Sequence, residues 1–144
     1  MSRDFNYLNK EIIKDKEVIK GLINKELCSV KNKGERGALV FIEVNYLKES
    51  NQEDLNLELI PNIINKNQVF FNELYRWHDD SYLLLTDRVY EGDLKVIVSK
   101  IKRELQCLGE ITGIRIFLGV SLLTPNNRVE NIMDRLFNSI SIIY

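Results

Sequence analysis

Cysteine is scarce in this chain of 144 residues: Cys28 and Cys107 stand far apart and match no metal-binding or redox spacing. Both sit among apolar helical positions, so the expectation is two buried, reduced thiols in a cytoplasmic compartment. Long apolar runs are missing too. A stretch such as Ile116 to Leu123 is far too short to span a bilayer. The polar opening Met1-Ser2-Arg3-Asp4-Phe5 shows no signal peptide. Charge of one sign does not dominate either. Lys and Arg number 20 against 21 Asp and Glu, a formal net charge of -1, so no global field draws the chain to nucleic acid or an anionic membrane. Internal repeats and low-complexity linkers are absent.

What is present is an ordinary globular balance, 44% hydrophobic and 28% charged residues. A chain of this length buries roughly 70% of its unfolded surface, enough for a core, and reads as one domain over 1–144 with an N-terminal helix, 1–33, leading into it. Over residues 5–31, Leu8, Ile12, Ile13, Val18, Ile19, Leu22, Ile23 and Leu27 recur at helical spacing, and Gly34 and Gly37 end the run. Ala38 to Val44 is apolar almost throughout, which predicts a central strand covered on both faces. Residues 53–65 predict a short helix in two pieces, interrupted or started by Pro61.

Val69 to Arg76 predicts a strand, Trp77 to Asp80 a turn, and Ser81 to Thr86 the hairpin partner. Leu94, Ile97, Val98, Ile101, Leu105 and Leu108 make one helical stripe over 92–108, with Asp93 as its N-cap and Gly109 at its C-terminal stop. Lys95, Lys100, Lys102 and Arg103 form its solvated face. Ile114, Ile116, Leu118, Val120 and Leu122 alternate as one face of a strand. A turn at Thr124 to Asn127, a helix over 127–138 and a short strand over 140–144 close the chain. The order α-β-α-β-turn-β-α-β-α-β predicts an α/β (α+β) fold: a ferredoxin-like palm whose mixed, mainly antiparallel sheet is flanked by helices.

Arg76-Trp77-His78-Asp79-Asp80-Ser81-Tyr82, set in that hairpin and followed by Leu83-Leu84-Leu85, resembles the signature turn of the GGDEF (diguanylate cyclase) family. Three more segments fall in the same order. Phe41-Ile42-Glu43-Val44-Asn45-Tyr46-Leu47-Lys48 resembles the family's first-strand motif, and Asn51 then stands where the family has the Asn of an Ile-Asn-Asp segment. Ile114-Arg115-Ile116-Phe117-Leu118-Gly119-Val120-Ser121 resembles its Val-Thr-Val-Ser-Ile-Gly-Val-Ser strand. Met133-Asp134-Arg135-Leu136-Phe137 resembles its closing helix. The similarity runs from about Asn9 to Ser141.

The resemblance implies a site where two metal ions lie between a first-strand Asp and the acids of the hairpin, and activate one GTP for attack on another. This sequence departs from that set. Glu43 replaces the first Asp and Asn45 the second. His78 and Asp79 replace the two glycines, which let the backbone approach the nucleotide. Asp80 keeps the metal-binding acid position, Ser81 replaces the next acid and Tyr82 ends the signature. The phosphate-binding Lys falls near Ser141, the second guanine-contact segment gives way to Asp54 to Leu59, and the product-inhibition Arg-x-x-Asp would occupy Val69 to Asn72 and is absent. Lys48, Asn51 and Arg76 remain as candidate nucleotide contacts, and Glu43 with Asp80 as the candidate metal pair. His78 alone reads as a solvent-facing turn residue. Trp77 reads as packed at the hairpin base, or as an anchor for a partner.

The expectation is a degenerate GGDEF-like domain without catalysis, regulatory in bacterial cyclic di-GMP-type signalling. It is expected to act through a protein partner, a second copy of itself included, with no nucleic acid and no membrane. No cofactor is implied, Mg²⁺ entering only if a nucleotide binds. The alternative is a receptor for GTP or a cyclic dinucleotide. An active cyclase is the least favoured, since two metals need several carboxylates.

Overall fold

The computed structural model describes residues 12–33, 37–46, 60–66, 71–78, 80–86, 91–112, 114–124 and 127–143. Ala38 to Val44 forms the heart of strand β1, Gly37–Tyr46, and its unbroken apolar run has a direct cause. Leu39 and Phe41 point to one face, Val40, Ile42 and Val44 to the other, and both faces are buried. Helices α2 (Ile60–Lys66) and α3 (Glu91–Thr112) supply Ile60, Ile64, Leu94, Ile101 and Leu105 to the first core. Helices α1 (Lys16–Lys33) and α4 (Val129–Asn138) supply Ile19, Ile23, Leu27, Val129, Ile132, Met133 and Leu136 to the second.

The remaining strands are β2 (Phe71–His78), β3 (Ser81–Thr86), β4 (Ile114–Leu123) and β5 (Ser141–Ile142). They form one five-stranded sheet in the order β2-β3-β1-β4-β5, with every neighbouring pair antiparallel. The expected α+β palm is therefore present, with every pairing among its five described strands antiparallel.

Several local expectations change. Among the described residues the first helix starts at Lys16, because the Asp15 carboxylate accepts from the backbone N–H groups of Glu17 and Val18 at 2.9 and 3.2 Å and caps it; residues 5–11 of the expected run lie outside the described residues. Ile12 and Ile13 precede the helix, and Leu8 lies outside the described residues. Val18 is 48% exposed, since the buried stripe is Ile19, Ile23, Leu27 and Val30. Cys28 and Cys107 are exposed, not buried: each follows a core leucine by an angle that carries it off the stripe. Helix α3 runs from Glu91 past Gly109 to Thr112, so Asp93 lies inside its first turn and Gly109 does not stop it. Lys95, Lys100, Lys102 and Arg103 are exposed, as expected. Leu122 leaves the expected face, 45% exposed, and α4 begins at Val129 rather than 127. The final strand is confined to Ser141–Ile142. Of the two-piece helix over 53–65, the second piece is α2, with Pro61 buried in its first turn; residues 53–59 lie outside the described residues.

Gly119 sets how closely α4 approaches the sheet. A Cβ there would meet the Leu136 carbonyl oxygen at 2.9 Å and Ser139 Oγ at 3.0 Å. Ser139 Oγ fastens the same junction, donating to the Leu136 carbonyl at 2.6 Å and accepting from the Val120 N–H at 3.0 Å. We expect Gly119→Ala to cost about 1–3 kcal/mol, because backbone must move. Gly21→Ala, in helix α1 with nothing within 4 Å of the added carbon, should add about 0.5–1 kcal/mol. Urea unfolding of the two variants checks this; equal stabilities would remove Gly119 as a spacer.

Candidate functional site

The hairpin between β2 and β3 is tighter than its sequence indicates. Trp77 and His78 continue β2, and the ladder runs to the pair His78–Ser81. The register shifts between Arg76 and His78, so Trp77 is an extra residue on the β2 side, in the manner of a β-bulge. Its ring packs 6.1 Å from that of Phe137 on α4, with Lys16 Nζ 5.0 Å from the ring centroid. This agrees with a tryptophan packed at the hairpin base. Asp79 lies outside the described residues, as do Lys48 and Asn51.

Ser81, at the position of a metal-binding acid in the resembled signature, is 1% exposed. Its Oγ accepts from the His78 N–H at 3.0 Å and so ties the two ends of the turn together. Tyr82 is wholly buried. Its hydroxyl accepts from Arg76 Nη2 at 3.0 Å, and the guanidinium carbon lies 5.0 Å from the ring centroid. Arg76 is thereby held along the hairpin. Asp80 is exposed, and its carbonyl accepts from the Val44 N–H at 2.9 Å, which sets the turn beside the end of β1. Glu43 pairs in register with Ser81. Asn45 is exposed two residues further on.

These elements border an open cavity of about 500 Å³ lined by Lys14, Glu43, Arg76, Trp77, His78 and Asp80. The structure thus brings together both candidate metal ligands and Arg76. Among the described residues, no group of three or more His, Cys, Asp or Glu side chains is placed to hold a metal ion. Exposed His78 lies with its ring nitrogens 3.2 and 3.4 Å from Lys16 Nζ.

Lys14 and Lys16 are the contributions that sequence reasoning missed. In the structure the segment before α1 runs alongside β2: Ile13 bridges to Tyr75 in parallel, and the Arg76 N–H donates to the Ile13 carbonyl at 3.0 Å. Asp15 was the available signal, since a helix-capping residue inside the apolar run marks a boundary.

With that geometry in place, solved structures give a close match in shape. A DGC protein from Thermotoga maritima matches with a TM-score of 0.72 at 16% identity, over 93% of this chain and 98% of that one. The FimX GGDEF domain from Pseudomonas aeruginosa matches with a TM-score of 0.67 at 12% identity, over 88% and 86%. The chain has the GGDEF fold. The diguanylate cyclase SiaD from Pseudomonas aeruginosa, solved with its activator SiaC, gives 0.72 at 17% identity, over 95% of this chain and 60% of SiaD. No family model and no curated protein matches the sequence. At these identities the GGDEF likeness is one of fold.

Tyr75, beside Arg76 on β2, is in the core at 1% exposed, with no hydrogen-bond partner for its hydroxyl among the described residues. Burial, then the charges of Glu73 and Glu26, push its phenol well above the usual value of 10.0. The phenol ionises more easily in the unfolded chain, so stability present below pH 10 should fall as pH rises above it. Tyr75→Phe should remove that part of the alkaline loss. At neutral pH it should leave stability within about 1 kcal/mol of the parent or raise it, because an unsatisfied buried hydroxyl goes. Denaturation followed from pH 7 to 11 tests both, and an unchanged alkaline slope would exclude Tyr75 as its source.

Proposed function

We propose that this chain is a catalytically inactive GGDEF-like regulatory domain of bacterial, cyclic di-GMP-type signalling, cytoplasmic, and working through contact with a protein. One observation carries the proposal: the Ser81 hydroxyl is turned inward and engaged with the hairpin backbone. Phosphoryl transfer by two metals needs several oxygen ligands converging on one point. At the described positions of this site, Glu43 and Asp80 are the carboxylates that face the cavity. His78, in place of a glycine, adds a side chain where the resembled signature brings backbone against nucleotide. SiaD, of the same fold, is seen with a protein activator, which supports a protein partner as the mode of action.

The test is direct. Purified protein incubated with GTP and Mg²⁺ or Mn²⁺ should yield no cyclic di-GMP above a protein-free blank by chromatography. Sustained turnover would falsify the proposal.

A second reading, a nucleotide receptor, is favoured by the cavity itself, where Lys14 and Arg76 offer cations beside the Trp77 ring. Lys48 and Asn51 would add to it, and Mg²⁺ would enter only with the nucleotide. The GGDEF domain of DgcB from Caulobacter crescentus is seen in complex with c-di-GMP. Trp77 is the only tryptophan, so its emission reports on this cavity. Under the leading proposal the emission stays flat across millimolar GTP, GDP and cyclic di-GMP, with and without Mg²⁺. A saturable change lost in Arg76→Ala would favour the receptor instead.

A further inference from the structure

We propose that the groove between α1 and α4 is a docking site for a basic amphipathic helix of a protein partner. This rests on the reading that the domain acts by protein contact, and it names the surface and the chemistry of what binds there.

The proposal begins with the sequence of α4. At about 100° per residue, Val129, Ile132, Met133 and Leu136 share the side that enters the core. Glu130, Asp134 and Phe137 fall together on one flank of that side. Arg135 falls on the other, where its guanidinium donates to Thr124 Oγ1 at 2.9 Å. The helix therefore presents acids without a base along one edge.

That edge borders a cavity separate from the one at the hairpin. It measures about 200 Å³ and is lined by Trp77, Val129, Met133 and Phe137, with Lys20, Glu130 and Asp134 at its margins. Its interior is apolar and aromatic, with room for one bulky aliphatic or aromatic side chain. On the α1 wall the Lys20 ammonium lies 4.0 Å from Glu17, and the Lys16 ammonium lies toward the hairpin, 3.2 Å from the His78 ring and 5.0 Å from the Trp77 centroid. The Glu130 and Asp134 carboxylates are exposed one helical turn apart, and neither has an ion-pair or hydrogen-bond partner among the described residues.

An apolar hole beside two carboxylates spaced one turn apart selects a segment with the matching pattern. The complementary element carries a bulky apolar anchor and Lys or Arg at i and i+4, which is the spacing of a helix face. Trp77, half-buried and packed on Phe137, is the aromatic surface such an anchor would meet. The same carboxylates repel a phosphate-bearing surface, which argues against an anionic membrane or a nucleic acid here.

The probe is a synthetic amphipathic helical peptide of Leu and Lys, compared with its Leu and Glu counterpart. Each is titrated into the full chain while Trp77 emission is followed. We expect the Lys peptide to give a saturable blue shift and the Glu peptide none. Added salt should weaken binding, as should the double variant Glu130→Gln/Asp134→Asn, the latter by about five- to tenfold, with the folded circular dichroism spectrum retained. Equal binding of the two peptides, or a double variant that binds as tightly as the parent, overturns the groove as a charge-selective site. Such a result would leave the regulatory reading standing. GTP turnover would undo that reading without altering the peptide result.

Discussion

Burial of β1 on both faces is the constraint on which the rest depends. A strand apolar at Leu39, Val40, Phe41, Ile42 and Val44 cannot sit at an edge or face water on one side. It must have a strand on each flank and helices above and below. Strands β3 and β4 meet the first demand, through pairs such as Ile42–Tyr82 and Ile42–Leu118. Helices α2 and α3 on one face, and α1 and α4 on the other, meet the second. Because β1 lies at the centre, its last residues reach the edge of the hydrophobic core where the β2–β3 hairpin turns. Glu43 comes to that turn for this reason, whatever its chemistry.

The hairpin shows how a few side chains decide what a site presents while the fold around it stays the same. Ser81 folds back onto the His78 N–H, which closes the turn with a hydrogen bond internal to it. Arg76 lies along the buried Tyr82 instead of standing free over the cavity. The extra residue at Trp77 takes up the mismatch between the two strands, and an added residue of this kind re-aims a side chain. Here it sends an indole toward α4, where the ring floors a second, more apolar space. One residue thus borders two cavities of different character, the hairpin one polar and the α4 one aromatic.

Much of this was legible in the chain itself. Hydrophobic periodicity located the described helices and strands in their correct order, and the hairpin fell where Arg76 to Leu85 said it would. The Gly119 resemblance carried real structural content, for α4 rests against the backbone at that point. Other features were illegible for stated reasons. The apolar run through Ile12 and Ile13 mimics helix, and only a strand edge at Tyr75 gives Ile13 a different partner. Cys28 and Cys107 read as buried because they neighbour leucines in sequence, but on a helix a neighbour in sequence faces another direction. Lys14 carried no local mark as a cavity residue, nor Lys16 as a neighbour of His78 and Trp77.

The sequence by itself determined the order of the described elements, the two-faced central strand and the side chains carried at the hairpin, because each depends on residues close along the chain. Tertiary structure alone decided which polar groups were left to act. Whether Ser81 faces a ligand or its own turn, whether Arg76 is free or stacked, and whether Trp77 meets α4 all depend on contacts between residues distant in sequence. Those contacts form only once β1 is enclosed and the register of the hairpin is set. The resemblance to a catalytic signature was therefore readable from residue identities, while the chemistry left at the hairpin had to be read from where those residues point.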